Sequence, residues 1–448
     1  MSSVTSASVA DSVESLELLV ADERKPKTGA LGLLTCYLFL LMAIPADLVF
    51  GPLGAAGGPA TIFALLVLVI YLGMWLRPGS SLYRGRQPIR QVGILFTCSI
   101  VASYAWANRH LLPVLEKNAA DRGLIFVLGW LGILLMAADG IESGAVLRTI
   151  LRRQVFGATA VALIGIGEFA SGIVVTNYVK IPGLQLQQNV TDLMVRGGLS
   201  RVYSTTSQPI EFGAVIVMTL PFALHQARFA PPDKRIGRWL QVGILGLAAP
   251  LSVSRSSILA LLMVAIVLLP TWPRKERHVA YALMASAFAA FLVFVPSLIT
   301  TLSGLVVNIG SDPSAQSRTK AIAMSWSYIS QNPWLGRGFF TFQPDTYFFI
   351  DDQYLMSLIV TGVVGLLALI MIFAAGWLIA RSARRMTTDA EGRHLAQCLA
   401  ASVAVAAISF SNYDALSFPM ASGLTFLLLG CCGAFWRFAR EGQAAGLR

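Results

Sequence analysis

The feature that most constrains this chain is a succession of apolar runs, each nearly long enough to cross a bilayer alone. They fall at about 30–50, 58–76, 91–107, 123–138, 155–176, 209–228, 238–252, 256–272, 279–299, 354–379, 395–410 and 419–436, and a helix spanning the hydrocarbon core needs about 20 such residues. Over 448 residues the chain is 56% hydrophobic and 13% charged, with a mean hydropathy of +0.68. A soluble core of that length has no use for so much apolar surface. The expected fold is an all-α polytopic membrane protein of about twelve transmembrane helices, with a long extracytoplasmic loop between helices 9 and 10.

The basic residues set the orientation. Most of the 34 lysines and arginines fall in alternate short links, such as 77–90 and 381–394, and in the two tails. The positive-inside rule then puts both termini in the cytoplasm. A net charge of +11 spread over such links reads as topology, not as a nucleic-acid surface. The expected division is a disordered cytoplasmic tail at 1–28, helices 1–9 over 29–299, an extracytoplasmic loop at 300–353, helices 10–12 over 354–437 and a cytoplasmic tail at 438–448. The tail's acids and its distance from the first apolar run argue against a cleaved leader. All five cysteines lie in apolar segments with no CxxC or Cys/His pairing, so they read as packing residues.

Cations on the outward side run against the bias that orients the protein. Arg109, Lys117 and Arg122 share a link with Glu116 and Asp121 and read as a solvated mixed-charge loop. Arg196, Arg201, Arg255, Arg318 and Arg337 are harder to place. Arg255 stands in SVSRSSILAL, a turn with no acid to pair with, so either a lipid headgroup or a ligand anion is its counterpart. Glu168, inside the fifth apolar run, is costly unless paired or solvated. Glu211 follows Pro209, a pairing that ordinary helix-start chemistry accounts for.

The long loop contains an expected amphipathic helix at 316–331, with Ile322, Trp326 and Ile329 on one stripe, ending at Asn332-Pro333. Aromatics crowd 339–349, as membrane-interface belts do. Asp351 and Asp352 then open a helix. One carboxylate there serves as an N-cap. The second repels it, which raises the proton affinity of one of the pair and suits a general base. A divalent cation bridging the two acids and a phosphate is the other chemistry such a pair supports.

These stretches, RVYSTTSQPIEFG, SRSSILAL, NPWLGRGFFTF and DDQYLMSLIVTGVVGLLAL, resemble the O-antigen ligase and polymerase superfamily of membrane glycosyltransferases over about 195–380. That family carries arginine-bearing segments, an NPxxGxG-like turn, a His-Asn-x-Tyr-Leu helix start and then T-G-x-x-G. The resemblance implies transfer of a glycan from an undecaprenyl-diphosphate carrier to a glycan or glycolipid acceptor on the outer face of the bacterial inner (plasma) membrane. It implies that arginines, matched here by Arg201, Arg255 and Arg318, hold the diphosphate. Asp351 stands at the family's histidine and Asp352 at its asparagine. None of the histidines, His110, His225, His278 and His394, is near the motif. An ordinary Asp is a weaker base than His, with a pKa of about 3.9 against 6.5.

The resulting candidates are Asp351, Asp352 and Arg318 as catalytic residues, and Arg201, Arg255, Glu211, Tyr354, Arg337 and Glu168 as substrate-binding ones, with no metal or cofactor. A transporter or flippase for lipid-linked glycan is the alternative. Against it stand the lack of a two-fold hydropathy repeat and the off-centre position of the long loop.

Overall fold

The computed structural model describes residues 29–109, 112–187, 195–196, 199–294 and 313–446; the tail expected at 1–28 lies outside them. Among the described residues, every expected apolar run overlaps at least one helix. In chain order these are α1 (Gly29–Ala43), α2 (Pro59–Leu76), α3 (Pro88–Ala107), α4 (Val114–Gly140), α5 (Gly144–Ser171), α6 (Pro209–Arg228) and α7 (Pro232–Leu251). Then come α8 (Arg255–Leu268), α9 (Arg274–Phe294), α10 (Pro313–Gln331), α11 (Gln353–Val360), α12 (Gly362–Met386), α13 (Ala390–Phe410) and α14 (Pro419–Gly446). Among the described residues, 8 helices are long and apolar enough to cross a membrane, with α1 and α8 as shorter apolar helices. This is an all-α membrane protein; among the described residues its strands are two-residue pairs, β1 (Leu48–Val49) with β2 (Gln185–Leu186) and β3 (Val195–Arg196) with β4 (Leu199–Ser200).

The centre of the bundle is α4, α6, α13 and α14. The spanning stretch of α14 is 89% buried whereas that of α2 is 17% buried, so α14 faces protein and α2 faces lipid. Trp130 of α4 stacks on Phe426 of α14 at 5.2 Å between ring centroids. Two boundaries differ from expectation for polar reasons. The supposed loop carrying Glu116, Lys117, Asp121 and Arg122 is the first part of α4, with Glu116 in its first turn beside the helix dipole. α5 starts at Gly144, where the Ser143 hydroxyl accepts the Val146 N–H at 3.3 Å.

The expected amphipathic helix is α10, but its stripe divides. Ala321, Ser325 and Ile329 are buried, while Ile322 and Trp326 are exposed. The aromatics after it are also mostly inward: Phe342 stacks on Tyr347 at 4.5 Å and packs edge-on against Tyr328 and Phe348, leaving Phe349 exposed.

One run expected at 354–379 is two helices, and the break explains two motifs at once. Thr361 ends α11, and Gly362, at φ +66°, starts α12. The NPWLGRG turn lies across this break. Its Arg337 and Gly338 amides donate to the carbonyls of Ile359 and Val360 at 3.1 and 2.9 Å. In return Val363 and Val364 donate to Pro333 and Trp334 at 2.8 and 3.2 Å. A Cβ on Gly336 would collide with the Val360–Thr361 peptide, and one on Gly362 with the Trp334–Leu335 peptide. The two backbones touch because neither glycine has a side chain.

Gly362→Ala should therefore lower the melting temperature in detergent, with a cost of at least about 1–3 kcal/mol from the left-handed backbone alone. Gly73→Ala, on a helix face with nothing within 4 Å, should leave it unchanged or raise it slightly.

Candidate active site at the loop end of the bundle

The described parts of the links 44–58, 172–208, 252–254, 332–352 and 411–418 gather at one end of the bundle; Arg201, Arg337, Asp351 and Asp352 stand on them, and Arg255, Glu211 and Tyr354 stand in the first turns of the helices that follow. On one side is a cationic turn. α7 stops at Leu251 and α8 begins at Arg255, with Val253 between them at φ +45°, a conformation a β-branched residue rarely takes. The turn is held by the Ser252–Ser257 hydroxyl pair at 2.7 Å and by the Val253 N–H on the Pro250 carbonyl at 3.0 Å. Arg201 reaches in from the 172–208 link and donates from Nε to the Ser252 carbonyl at 3.1 Å. Two arginines far apart in sequence thus share one turn. Arg255 also places a cation at a helix N-terminus, where the dipole is already positive and an anion is favoured. Arg318 falls in α10, which packs on α11; its side chain, like that of Arg196, lies outside the described residues.

On the other side are acids. Asp352 is the N-cap of α11, accepting the Tyr354 and Leu355 amides on Oδ1 at 2.8 and 3.1 Å. Asp351 makes no hydrogen bond or salt bridge among the described residues, and its charge acts on Asp414. Asp414 lies in the short link between α13 and α14. Burial pushes its pKa up to about 7, with Asp351 adding to the rise and the Ser417 hydroxyl opposing it. Sequence reasoning passed over Asp414, although an acid in the last link on the side of Asp351 was the available signal. Asp47 was missed too; burial raises it to about 6 against a hydrogen bond from Ser207. Electrostatic neighbours join the two sides: Arg201 and Asp47 both act on Tyr203, Asp47 on Glu211, and Glu211 and Asp414 on Tyr413.

The remaining candidates all bond within the protein, with Arg337 keeping a buried Nε that has no hydrogen-bond partner among the described residues. Glu168 accepts the amides of Val175, Tyr203 and Ser204 at 3.0, 3.0 and 2.6 Å, pinning the 172–208 link to α5. Glu211 accepts those of Ser207, Met420 and Ala421 at 2.9, 2.8 and 3.0 Å, tying the start of α6 to the start of α14. Tyr354 donates to the Ala407 carbonyl at 2.8 Å. Arg337 pairs with buried Glu116 at 2.9 Å and lies 4.5 Å over the Tyr347 ring. These four hold the site's frame.

At the opposite end, His225, His394 and Cys398 bring ligand-type atoms within 4.8 Å of one another. This corrects the expectation that no cysteine pairs with a histidine, since Cys398 is one helical turn beyond His394. The Trp272 indole donates to His394 Nε2 at 3.1 Å, which places the proton on Nδ1, facing His225 at 3.1 Å. The group is closed by its own hydrogen bonds.

Residues 240–370 match the family model described as O-Antigen ligase. The match supports membership of the O-antigen ligase/polymerase superfamily. The matched stretch runs from within α7 into α12. It contains Arg255, Arg318, Asp351 and the interlocked glycines, while Arg201, Glu211 and Asp414 lie outside it. No curated protein matches the chain.

Two outcomes separate struts from chemistry. Glu211→Ala orphans two buried amides and one half-buried amide and should cost about 3 kcal/mol or more, read as a large fall in melting temperature. Asp414 has a folded pKa above its unfolded value of about 3.9, so its contribution to stability is greatest at low pH and is lost as pH rises toward 7. Asp414→Asn should therefore melt at or above the wild-type temperature at pH 8, with the difference vanishing near pH 4.

Proposed function

We propose that this ligase-family protein transfers a glycan from an undecaprenyl-diphosphate carrier to a sugar hydroxyl of a glycan or glycolipid acceptor at the outer face of the inner membrane, with both termini cytoplasmic. The observation that carries this reading is the pairing, at one end of the bundle, of a turn holding Arg201 and Arg255 with an acid pair, Asp351 and Asp414.

The chemistry follows from that division. The acceptor oxygen attacks the anomeric carbon as the bond from that carbon to the diphosphate oxygen breaks. Negative charge collects on the leaving undecaprenyl diphosphate, and guanidiniums already fixed by the fold stabilise it without reorganising. Arg201, Arg255 and, on this proposal, Arg318 supply that field. The polyprenyl tail stays in lipid, so the diphosphate arrives at the depth where the turn lies. The proton lost by the acceptor hydroxyl passes to this acid pair. With Asp352 engaged as a cap, Asp351 and Asp414 are the carboxylates placed to take it. A step near pH 7 lets an aspartate do the work that the family's motif gives to a histidine.

The test is turnover by purified protein with an undecaprenyl-diphosphate glycan as donor. Arg255→Ala and Arg318→Ala should abolish transfer, and Asp351→Asn and Asp414→Asn should each lower kcat by about 10²–10⁴. Wild-type kcat/KM should rise through pH 7 and then level off, a step that Asp414→Asn removes, and chelator should have no effect. Full activity in all four variants ends the proposal, and loss of activity in chelator replaces the base with a metal.

A further inference from the structure

We infer that the cavity beside the acid pair is an acceptor subsite for a sugar ring bearing a negative charge, with Arg122 as the group that recognises it. The inference rests on the proposed transfer reaction and names its acceptor class.

The cavity has a volume of about 260 Å³, and its lining includes Arg122, Gln187, Gln343, Asp414, Ser417 and Phe340. Ligand pockets for drug-sized molecules run from about 300 Å³ upward, so this space suits one sugar ring and its substituents. Part of its wall is aromatic: the rings of Phe126 and Phe340 stand 5.6 Å apart. Phe340 is held at φ +66°, a strained backbone that persists where surrounding structure imposes it.

Arg122 is the unexplained member. It is half-buried, and it makes no hydrogen bond or ion pair among the described residues. The nearest acids on its own helix are committed elsewhere, Glu116 to Arg337 and Asp121 to the Tyr104 hydroxyl at 2.7 Å. A partly desolvated guanidinium beside amides and rings is a carboxylate site waiting for its partner.

Asp414 lines the same cavity, and Asp351 acts on it. The space therefore has a cationic wall and an anionic wall. An anionic substituent is drawn to Arg122 and repelled by the acids, which leaves a neutral hydroxyl of the same ring facing Asp414. That orientation presents a nucleophile to the base. The arginines of the 252–255 turn belong to other elements and remain for the diphosphate.

Saturation-transfer NMR on the purified full chain tests this without turnover, using methyl β-D-glucuronide and methyl β-D-glucoside as probes. The glucuronide should bind about 10-fold more tightly than the glucoside, the size of one added charge-assisted contact. Arg122→Gln should erase that advantage while leaving glucoside binding in place, and Arg122→Lys should restore part of it. Equal binding of the two probes by wild type overturns the inference, as does an advantage that survives Arg122→Gln. Inorganic pyrophosphate provides the arm for the other anion source. If its binding falls as much in Arg122→Gln as in Arg255→Ala, the guanidinium belongs to the donor and the inference fails. A protein that selects glucuronide through Arg122 yet transfers nothing would instead refute the transfer reaction and leave the subsite standing.

Discussion

Two backbones crossing at van der Waals distance hold the loop end of this protein in shape. Gly336 and Gly362 face each other where the NPWLGRG turn passes the break between α11 and α12, and four amide–carbonyl bonds cross the junction. Peptide groups at membrane depth must find partners within the protein. Here a helix is interrupted, and the turn satisfies the groups that the interruption frees. The consequence for the site is positional: α11 is fixed as a short separate helix, and its N-terminal Asp351–Asp352 pair is held in place by the crossing below it.

The same economy governs the buried acids. Glu168 and Glu211 each gather three backbone amides, and each ties a link or helix start to a distant part of the chain. A carboxylate with such a set of donors is a strut, because moving it would orphan several N–H groups at once. Arg337, Glu116 and Tyr347 form a comparable brace under the aromatic segment. The same end also carries the turn that Arg201 and Arg255 share and the Asp351–Asp414 pair. On the proposed function, these cations stabilise the developing diphosphate and these acids receive the proton.

Strain collects at the same end. The non-glycine residues with positive φ among the described residues are Ser204, Val253 and Phe340. Ser204 gives its amide to Glu168, Val253 precedes Arg255, and Phe340 lines the cavity. Each carries a cost of order 1–3 kcal/mol that the surrounding packing must offset. Their positions indicate that the loops are fixed in one arrangement before any ligand enters.

The sequence alone determined the class of molecule and the placement of its helices, since a run of apolar residues long enough to cross lipid is a local property. It also gave the order of the motifs, and it singled out Arg201 and Arg255 because, on the expected topology, their charge stands out against the bias. The tertiary structure decided which polar groups are consumed and which remain. Glu211 and Arg337 have partners far along the chain or on another helix that the sequence did not show. Asp414 went unremarked and Arg122 read as a solvated loop charge until packing brought one to Asp351 and left the other facing a cavity. Proximity between helices depends on how their faces pack and on which buried groups find each other first. No local pattern of residues records that.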